Sequence, residues 1–167
     1  TVYDAAGQVQ ASVDALGYRT TFAYDAAGNQ VTVVDANGKV TTSVYAGTSN
    51  RLSASVDALG NRTSFSYDLA GQQTAIQDAR GNRTTFSYDA AGRLVTQVNA
   101  VGNVASYGYD AAGRVVSQVN ARGQVKTATY DAVGRVVSIL YADSTRVTLA
   151  YDAVGNRTTM VDWGGTT

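Results

Sequence analysis

The sequence contains no cysteine, histidine, proline or glutamate among its 167 residues. Without cysteine, neither disulfide bonds nor thiolate metal sites can form, so stability must come from backbone pairing and side-chain packing. Without histidine, the many serine and threonine residues cannot be built into a serine–histidine–aspartate triad. Without proline, every residue after the first keeps the backbone N–H donor that a β-sheet ladder uses.

Long hydrophobic runs and an excess of charge of either sign are also missing. The 13 basic and 13 acidic residues give a net charge of zero, which disfavours nucleic acids and anionic membranes as partners. Apolar runs extend over only a few residues, so we expect no membrane insertion. The first residues, TVYDAAG, already lie inside a repeat, and we expect the chain to be a piece of a longer or processed protein.

What the sequence does contain is a motif, Tyr-Asp-x-x-Gly, which returns every 21 residues and which we call the first word of the repeat. Its tyrosine positions form two series with one extra residue between them, and we call these residues the ladder tyrosines: Tyr3, Tyr24, Tyr45 and Tyr67, Tyr88, Tyr109, Tyr130, Tyr151. A weaker second word lies halfway through each period, for example VDALG from Val13, VNAVG from Val98 and VDWGG from Val161. This periodicity predicts one array of about eight 21-residue repeats over residues 1–167.

The repeated word has the chemistry of a tight hairpin turn. An aspartate at the first turn position accepts hydrogen bonds from backbone N–H groups, and glycine at the fourth position adopts a left-handed conformation. Together they predict a three-residue loop with a G1 bulge. The predicted structural turn residues are Asp4, Gly7, Asp25, Gly28, Asp68, Gly71, Asp89, Gly92, Asp110, Gly113, Asp131, Gly134, Asp152 and Gly155.

The segments between turns, such as Thr84–Tyr88, are rich in threonine, valine, tyrosine and phenylalanine, which favours β-strands. We therefore predict an all-β fold, an antiparallel β-hairpin repeat array with about two strands per repeat. Such an array forms a spiral sheet, a β-solenoid shell or a barrel-like structure, because wide sheets twist and curl.

Strand parity adds a constraint on register. With residues 90–92 as the loop, the predicted cross-strand pairs are Tyr88–Leu94, Phe86–Thr96 and Thr84–Val98. Side chains alternate between the two faces of a strand, so a period of 21 residues would move each ladder tyrosine to the opposite face. The ladder tyrosines stay on one face only if each repeat contains one irregularity that shifts this alternation by one residue, which we call a change of parity. We predict that this change lies in the second turn, as an even loop or a bulge, and that the tyrosines form an aromatic ladder.

Two words depart from the pattern. The stretch Tyr45-Ala-Gly-Thr-Ser-Asn-Arg lacks the aspartate and carries the extra residue, and Tyr141-Ala-Asp-Ser-Thr-Arg lacks the glycine. These irregularities indicate either longer or reshaped turns, or a bend or contact point in the array.

The words YDAAGR and GNRTTFSYDAAGRL (Gly81–Leu94) resemble those of the YD-repeat family, also called Rhs repeats, over essentially the whole chain. The resemblance implies β-hairpins that spiral into a hollow shell, which encloses a toxin domain in bacterial Rhs and insecticidal toxin-complex proteins and is related to the shell of animal teneurins. It also implies a secreted or bacterial cell-surface location. The family's proline-containing core-associated segment, self-cleaving aspartate site and C-terminal toxin match no residues here.

Catalysis and metal binding find little support in the residues. Neither Lys39 nor Lys126 lies in a Ser-x-x-Lys context, and the only paired carboxylates would come from the capping aspartates of turns. Calcium loops need several carboxylates in one loop, whereas each loop here has one. We expect no catalytic, cofactor-binding or metal-binding residues, and no enzymatic activity.

Two functional hypotheses remain. The first is a structural wall, part of a β-sheet shell or of an extracellular fibre, that encloses, displays or spaces other components, for example a toxin domain or other cargo. The second is a carbohydrate-binding adhesion module that uses a face of tyrosine and arginine, since arginine commonly follows the turn glycine, as at Arg93 and Arg114. Expected partners are other parts of the same large polypeptide or identical chains through open sheet edges, and a glycan in the second hypothesis.

Overall fold

The structure is a computed structural model that describes residues 1–162 and 165–166. Over these residues the regular structure is β-strand apart from one 3-10 turn, Gly47–Ser49. The strands belong to two compact units, Thr1–Arg83 and Thr84–Thr167. The predicted all-β antiparallel hairpin array is confirmed. Nowhere in the described part of the chain is there a helix long and apolar enough to cross a membrane.

The first compact unit contains eight strands, each paired antiparallel with its neighbour in sequence. These strands are β1 (Val2–Tyr3), β2 (Val9–Val13), β3 (Arg19–Tyr24), β4 (Gln30–Val34), β5 (Val40–Ala46), β6 (Arg51–Val56), β7 (Arg62–Tyr67) and β8 (Gln73–Gln77). Each ladder tyrosine of this unit lies at or within one residue of the end of its strand, directly before a turn.

The second compact unit continues the same pattern of consecutive antiparallel pairing. Its strands are β9 (Arg83–Tyr88), β10 (Leu94–Val98), β11 (Val104–Tyr109), β12 (Val115–Val119), β13 (Val125–Tyr130), β14 (Val136–Leu140), β15 (Arg146–Tyr151), β16 (Arg157–Asp162) and β17 (Gly165–Thr166). The VDWGG word includes residues 163 and 164, which lie outside the described residues.

The register confirms one predicted pair and corrects two. Tyr88 faces Leu94 as predicted, but the pairing of Phe86 with Thr96 and of Thr84 with Val98 was wrong. The actual partners are Ser87–Thr96, Phe86–Gln97 and Thr85–Val98. The reason is a β-bulge between Leu94 and Thr96, where one extra residue of β10 shifts every later pair by one position.

The bulge also corrects the predicted place of the parity change. The second turn is followed by regular pairs, Val98–Val104 and Gln97–Ala105, with no irregularity. In contrast, a register shift occurs beside the ladder tyrosine in the other hairpins that follow a ladder tyrosine, including the irregular one at Tyr45. Each repeat therefore changes parity once, in the first hairpin and not in the second turn.

One bulge per repeat keeps neighbouring ladder tyrosines on the same face of the sheet. Within the second unit, Tyr109 shares a face with Ala105, because the two lie an even number of residues apart on β11. Ala105 faces Gln97, and Gln97 faces Phe86, which shares the face of Tyr88 on β9. The register thus places Tyr88 and Tyr109 on the same face of the sheet, on strands separated by β10.

The array has almost no interior. Among the described residues, the buried hydrophobic side chains are those of Ala11, Ala54 and Ala75, and no large side chain is fully buried. Most strand residues are half-buried by their neighbours on adjacent strands. Contacts between successive strands, and between successive repeats, must therefore supply the stability that a packed core supplies elsewhere.

Candidate functional site

Both words of the repeat fold into the same five-residue turn. In the first word of the second unit, the Asp89 N–H donates to the Arg93 carbonyl at 3.0 Å, and the Gly92 N–H donates to the Asp89 carbonyl at 3.0 Å. Asp89 Oδ1 accepts two more bonds, from the N–H groups of Ala91 (2.9 Å) and Arg93 (3.0 Å). One carboxylate oxygen thus caps two backbone donors of its own turn.

The other predicted turn residues occupy equivalent places. In all seven predicted pairs the glycine N–H donates to the aspartate carbonyl. The seven glycines have φ between +80° and +95°, a left-handed conformation that side chains disfavour. Asn99 and Asn120 replace aspartate in two second-word turns, and their Oδ1 atoms accept the same two N–H bonds. The acceptor oxygen, and not the charge, is therefore what the turn requires.

The pKa of eight aspartates lies below its usual value: Asp25, Asp57, Asp78, Asp89, Asp110, Asp131, Asp143 and Asp152. At Asp89 the side-chain hydrogen bond from Arg93 lowers the pKa most, followed by the Arg93 backbone N–H. At Asp25 the side-chain amide of Asn29 is the largest cause of the lowered pKa. These carboxylates are therefore ionised acceptors at neutral pH, which does not suit a general acid.

An arginine after the turn glycine joins one repeat to the next. Arg93 Nε donates to Asp89 Oδ2 at 2.7 Å, within its own turn. The Arg93 guanidinium carbon also lies 4.6 Å from the ring centroid of Tyr109 in the following repeat, and Nη1 donates to the Asp110 carbonyl at 3.3 Å. We call this set the inter-repeat arginine contact. It recurs at Arg114 with Tyr130 and Asp131, and at Arg135 with Tyr151 and Asp152.

The hydroxyl of the ladder tyrosine makes a second link, to the preceding repeat. Tyr109 Oη donates to the Leu94 carbonyl at 2.8 Å. The pairing of β10 with β11 extends only to Thr96–Ser106, so the hydroxyl binds a carbonyl that lies past the end of that pairing. The same bond, 15 residues back along the chain, is made by Tyr24, Tyr45, Tyr130 and Tyr151.

The first compact unit contains a longer version of the inter-repeat arginine contact, at Arg51. Arg51 lies 5.9 Å from the Tyr67 ring centroid, and its Nη1 donates to the Asp68 carbonyl at 3.4 Å. Arg51 follows the first irregular word, which forms the Gly47–Ser49 3-10 turn and ends at Asn50 with φ of +49°. The contact after this turn is longer than the 4.6 Å contacts of the second unit.

Sequence reasoning predicted the turns but missed the inter-repeat arginine contact. It considered the arginines after the turn glycine as part of a carbohydrate-binding face. The signal that was missed is the interval between an arginine and the next ladder tyrosine. Arg93 is followed by Tyr109 after 16 residues and by Asp110 after 17, and the same two intervals follow Arg114 and Arg135. Among the described residues, no cluster of three or more histidine, cysteine, aspartate or glutamate side chains is arranged to hold a metal ion.

Solved structures with a similar fold include Tc toxin complexes. The chain matches the TcdB2–TccC3–Cdc42 crystal structure with a TM-score of 0.67 at 22% identity, over 87% of this chain and 9% of that chain. It matches the Photorhabdus luminescens Tc holotoxin pore with a TM-score of 0.68 at 21% identity, again over 87% and 9%. The TcdB2–TccC3–TEV crystal structure gives a TM-score of 0.57 at 19% identity, over 98% and 11%. These likenesses concern the fold, and the chain spans about a tenth of the length of each match.

No curated protein matches the chain in sequence. The family model described as RHS Repeat matches residues 3–42, 48–83, 67–104, 88–125 and 130–167. These matches cover most of the chain and follow the 21-residue period whose turns, tyrosines and arginines are described above. The chain belongs to the RHS repeat family.

Proposed function

We propose that this chain is a non-catalytic stretch of a β-sheet wall that encloses, displays or spaces other components, such as a toxin domain. The observation that carries the proposal is the inter-repeat arginine contact. Arg93, Arg114 and Arg135 each use their charge, stacking face and donors on their own turn and on the next repeat. The side chains that recur with the period are thus used to build the array itself.

The lack of an interior supports the same function. A two-stranded hairpin is marginal on its own, and the buried hydrophobic side chains among the described residues are those of three alanines. Tyrosine hydroxyls and arginines connect neighbouring repeats and stabilise them, as at Tyr109 and Arg93. Such a chain extends by adding repeats, which is what a wall requires and what a catalytic pocket does not.

The state of the aspartates supports a role without catalysis. Acid–base chemistry needs a carboxyl group whose pKa is raised towards neutrality, whereas the resolved pKa shifts here are all downward. The carboxylates of Asp89 and Asp110 already accept bonds from their own turns and arginines. The chain also has no histidine to serve as a base.

The tyrosine and arginine face is less suited to the alternative, a carbohydrate-binding adhesion module. Stacking on a sugar requires an uncovered ring, but the rings of Tyr109, Tyr130 and Tyr151 each have a guanidinium 4.6 Å from their centroids. We therefore favour the wall. Likeness in fold to Tc toxin complexes supports a toxin or other cargo as the enclosed component and a secreted or cell-surface location. Since the chain spans 9% of those chains, further repeats of a longer polypeptide are the partners we propose.

Excision of one period tests the proposal. Removing residues 110–130 joins Tyr109 to Asp131 and restores the word with every inter-repeat contact in phase. We expect this variant to keep its β-sheet circular dichroism and to unfold in urea with an m-value lower by about one-eighth, in proportion to the surface removed. As the control, removing residues 110–119 joins Tyr109 to Asn120, which preserves a turn but reverses the direction of all later strands.

The control variant loses fewer residues, yet we expect it to be less stable, because Arg114 is removed and Tyr130 loses the guanidinium that lies 4.6 Å from its ring centroid. If the two excisions are equally stable, or if removing one full period unfolds the chain, the repeat is not an independent wall element and the proposal is wrong.

A further inference from the structure

The two central residues of the turns differ between the two words of the repeat. In the first-word turns that follow the pattern, both central residues are apolar: Ala5-Ala6, Ala26-Ala27, Leu69-Ala70, Ala90-Ala91, Ala111-Ala112, Ala132-Val133 and Ala153-Val154. Among the described second-word turns, four have a polar or charged second central residue: Asn37, Arg80, Arg122 and Asp143. The two kinds of turn lie at opposite ends of the strands, so each compact unit has an apolar row of turns and a mixed one.

The turn itself does not require apolar residues at these positions. Arg122 is the second central residue of a second-word turn, and its N–H donates to Asn120 Oδ1 at 2.9 Å. Ala91 occupies the same position in a first-word turn, and its N–H donates to Asp89 Oδ1 at 2.9 Å. The two backbones are bonded alike, so a charged side chain fits this turn as well as an apolar one does. The apolar residues of the first-word turns therefore have a cause outside the turn.

In the second compact unit these apolar residues form one row of turn tips. Its members, which we call the first-word rim, are residues 90–91, 111–112, 132–133 and 153–154. All of them are exposed, and Val133 and Val154 expose 75% and 83% of their surface. Successive turns of the rim are two strands apart, which corresponds to about 10 Å. A contiguous exposed apolar patch is a feature of interaction surfaces.

The carboxylates next to the rim are already bonded inside their own turns. Arg93, Arg114 and Arg135 form salt bridges of 2.7 Å with the aspartates that begin the first three turns of the rim. The aspartate of the fourth turn, Asp152, accepts from the side-chain amide of Asn156 at 3.1 Å. A partner that packs on the apolar tips therefore leaves these bonds in place.

We propose that the first-word rim binds the first-word rim of a second copy of this chain, about a twofold axis. A row of turns spaced by about 10 Å is matched in spacing by another row of the same array. The second-word turns of a copy are the poorer partner, because the charged side chains of Arg122 and Asp143 would lose water at an apolar surface. This inference goes beyond the proposed wall function, which needs contacts only along the array.

The geometry of the rim sets the strength and the stoichiometry of the contact. Interfaces of standard size bury about 800 Å² per partner, and one row of four turn tips, mostly alanine, is smaller, so we expect a weak dimer. The contact uses the same surface on both copies and therefore closes at two copies. Pairing of open strand edges would instead continue into longer assemblies, which distinguishes the two modes of association.

Sedimentation equilibrium of the full chain, between about 10 µM and about 1 mM, tests the proposal. We expect a monomer–dimer equilibrium whose dimer is weakened at least about tenfold in Val133→Lys/Val154→Lys, because two charges enter the contact. The control Leu59→Lys/Val101→Lys adds the same charge at the same position of second-word turns, where the side chains expose 87% and 78% of their surface. Its dissociation constant should stay within about threefold of the parent.

A distance measurement locates the contact independently of the lysine variants. Because the chain has no cysteine, one substitution provides a unique attachment site for a spin label. Ala111→Cys places the label in the rim, and Ala121→Cys places it at the same position of a second-word turn, at the other end of the strands. Pulsed EPR should give a shorter distance between the two copies for Ala111→Cys than for Ala121→Cys.

Four results would overturn the proposal. They are a chain that stays monomeric at the highest concentration, association beyond two copies, a control variant that weakens the dimer as much as the rim variant does, and a shorter distance for Ala121→Cys. Unfolding curves of each variant show whether the sheet is intact, and the EPR comparison decides if the rim variant has lost it. A monomeric chain leaves the excision result unchanged, so this proposal and the wall function fail separately.

Discussion

Tyr109→Phe removes one hydroxyl group and leaves the aromatic ring in place. The hydroxyl donates to the Leu94 carbonyl at 2.8 Å, across the boundary between two repeats. The ring remains 4.6 Å from the Arg93 guanidinium carbon, so the arginine contact is retained. The substitution therefore isolates a single hydrogen bond between repeats.

The expected loss follows from the position of that bond. A neutral hydrogen bond contributes about 0.5–1.5 kcal/mol net, and leaving a carbonyl without its donor increases the cost where water has little access. Tyr109 and Leu94 are both half-buried, so water compensates for part of the loss. We expect the free energy of unfolding to fall by about 1 kcal/mol.

Urea unfolding followed by circular dichroism measures this change, with Tyr18→Phe as the control. Tyr18 exposes 58% of its surface at a turn, so the control variant should stay within about 0.5 kcal/mol of the parent. The reasoning is refuted if Tyr109→Phe is as stable as the parent, or if the two variants lose the same amount.

Three further predictions concern the turns. Gly102→Ala places a side chain at φ of +84°, with no atom within 4 Å of the new Cβ. Backbone strain alone should therefore lower the free energy of unfolding by about 1 kcal/mol in a urea titration. Gly102→Asn should lose less in the same titration, because asparagine tolerates the left-handed conformation better. Ser144→Gly relieves a left-handed serine at φ of +68° and should stabilise the chain by about 0.5–1 kcal/mol in thermal unfolding, with no gain refuting the strain. Because the pKa of eight aspartates is lowered in the folded state, their stabilising effect is present above the unfolded pKa and is lost as pH falls through the folded pKa. With no histidine or glutamate in the chain, urea midpoints should be level between about pH 5 and 7 and fall below about pH 4, and a fall between pH 7 and 5 would contradict the assignment.

The fold was predictable because local chemistry and period agree. The aspartate and glycine of each word specify one turn type, and the β-branched and aromatic residues between turns specify strands. The pair Tyr88–Leu94 followed from the loop length alone. The next pairs did not, because the bulge after Leu94 shifts each of them by one position.

The contacts between repeats were not predictable for a related reason. Spacing along the chain shows that Arg93 and Tyr109 recur together, but it does not show that a guanidinium crosses from one hairpin to the next. That contact depends on the bulge, which keeps successive tyrosines on one face within reach of the preceding arginine. The turn at Tyr141, with Ser144 at φ of +68°, was likewise visible in sequence only as an irregular word.

A double-mutant cycle tests most directly the claim that each repeat is held by its neighbour. Arg114→Met keeps the aliphatic stem of the side chain, and Tyr130→Leu removes the ring that lies 4.6 Å from the guanidinium carbon. We expect a coupling free energy of about 0.5–1 kcal/mol between these two substitutions. In the matched control cycle, Arg93→Met with Tyr130→Leu spans two repeats, and the effects should add within about 0.5 kcal/mol. Equal coupling in both cycles, or none in either, would contradict nearest-neighbour stabilisation of the wall.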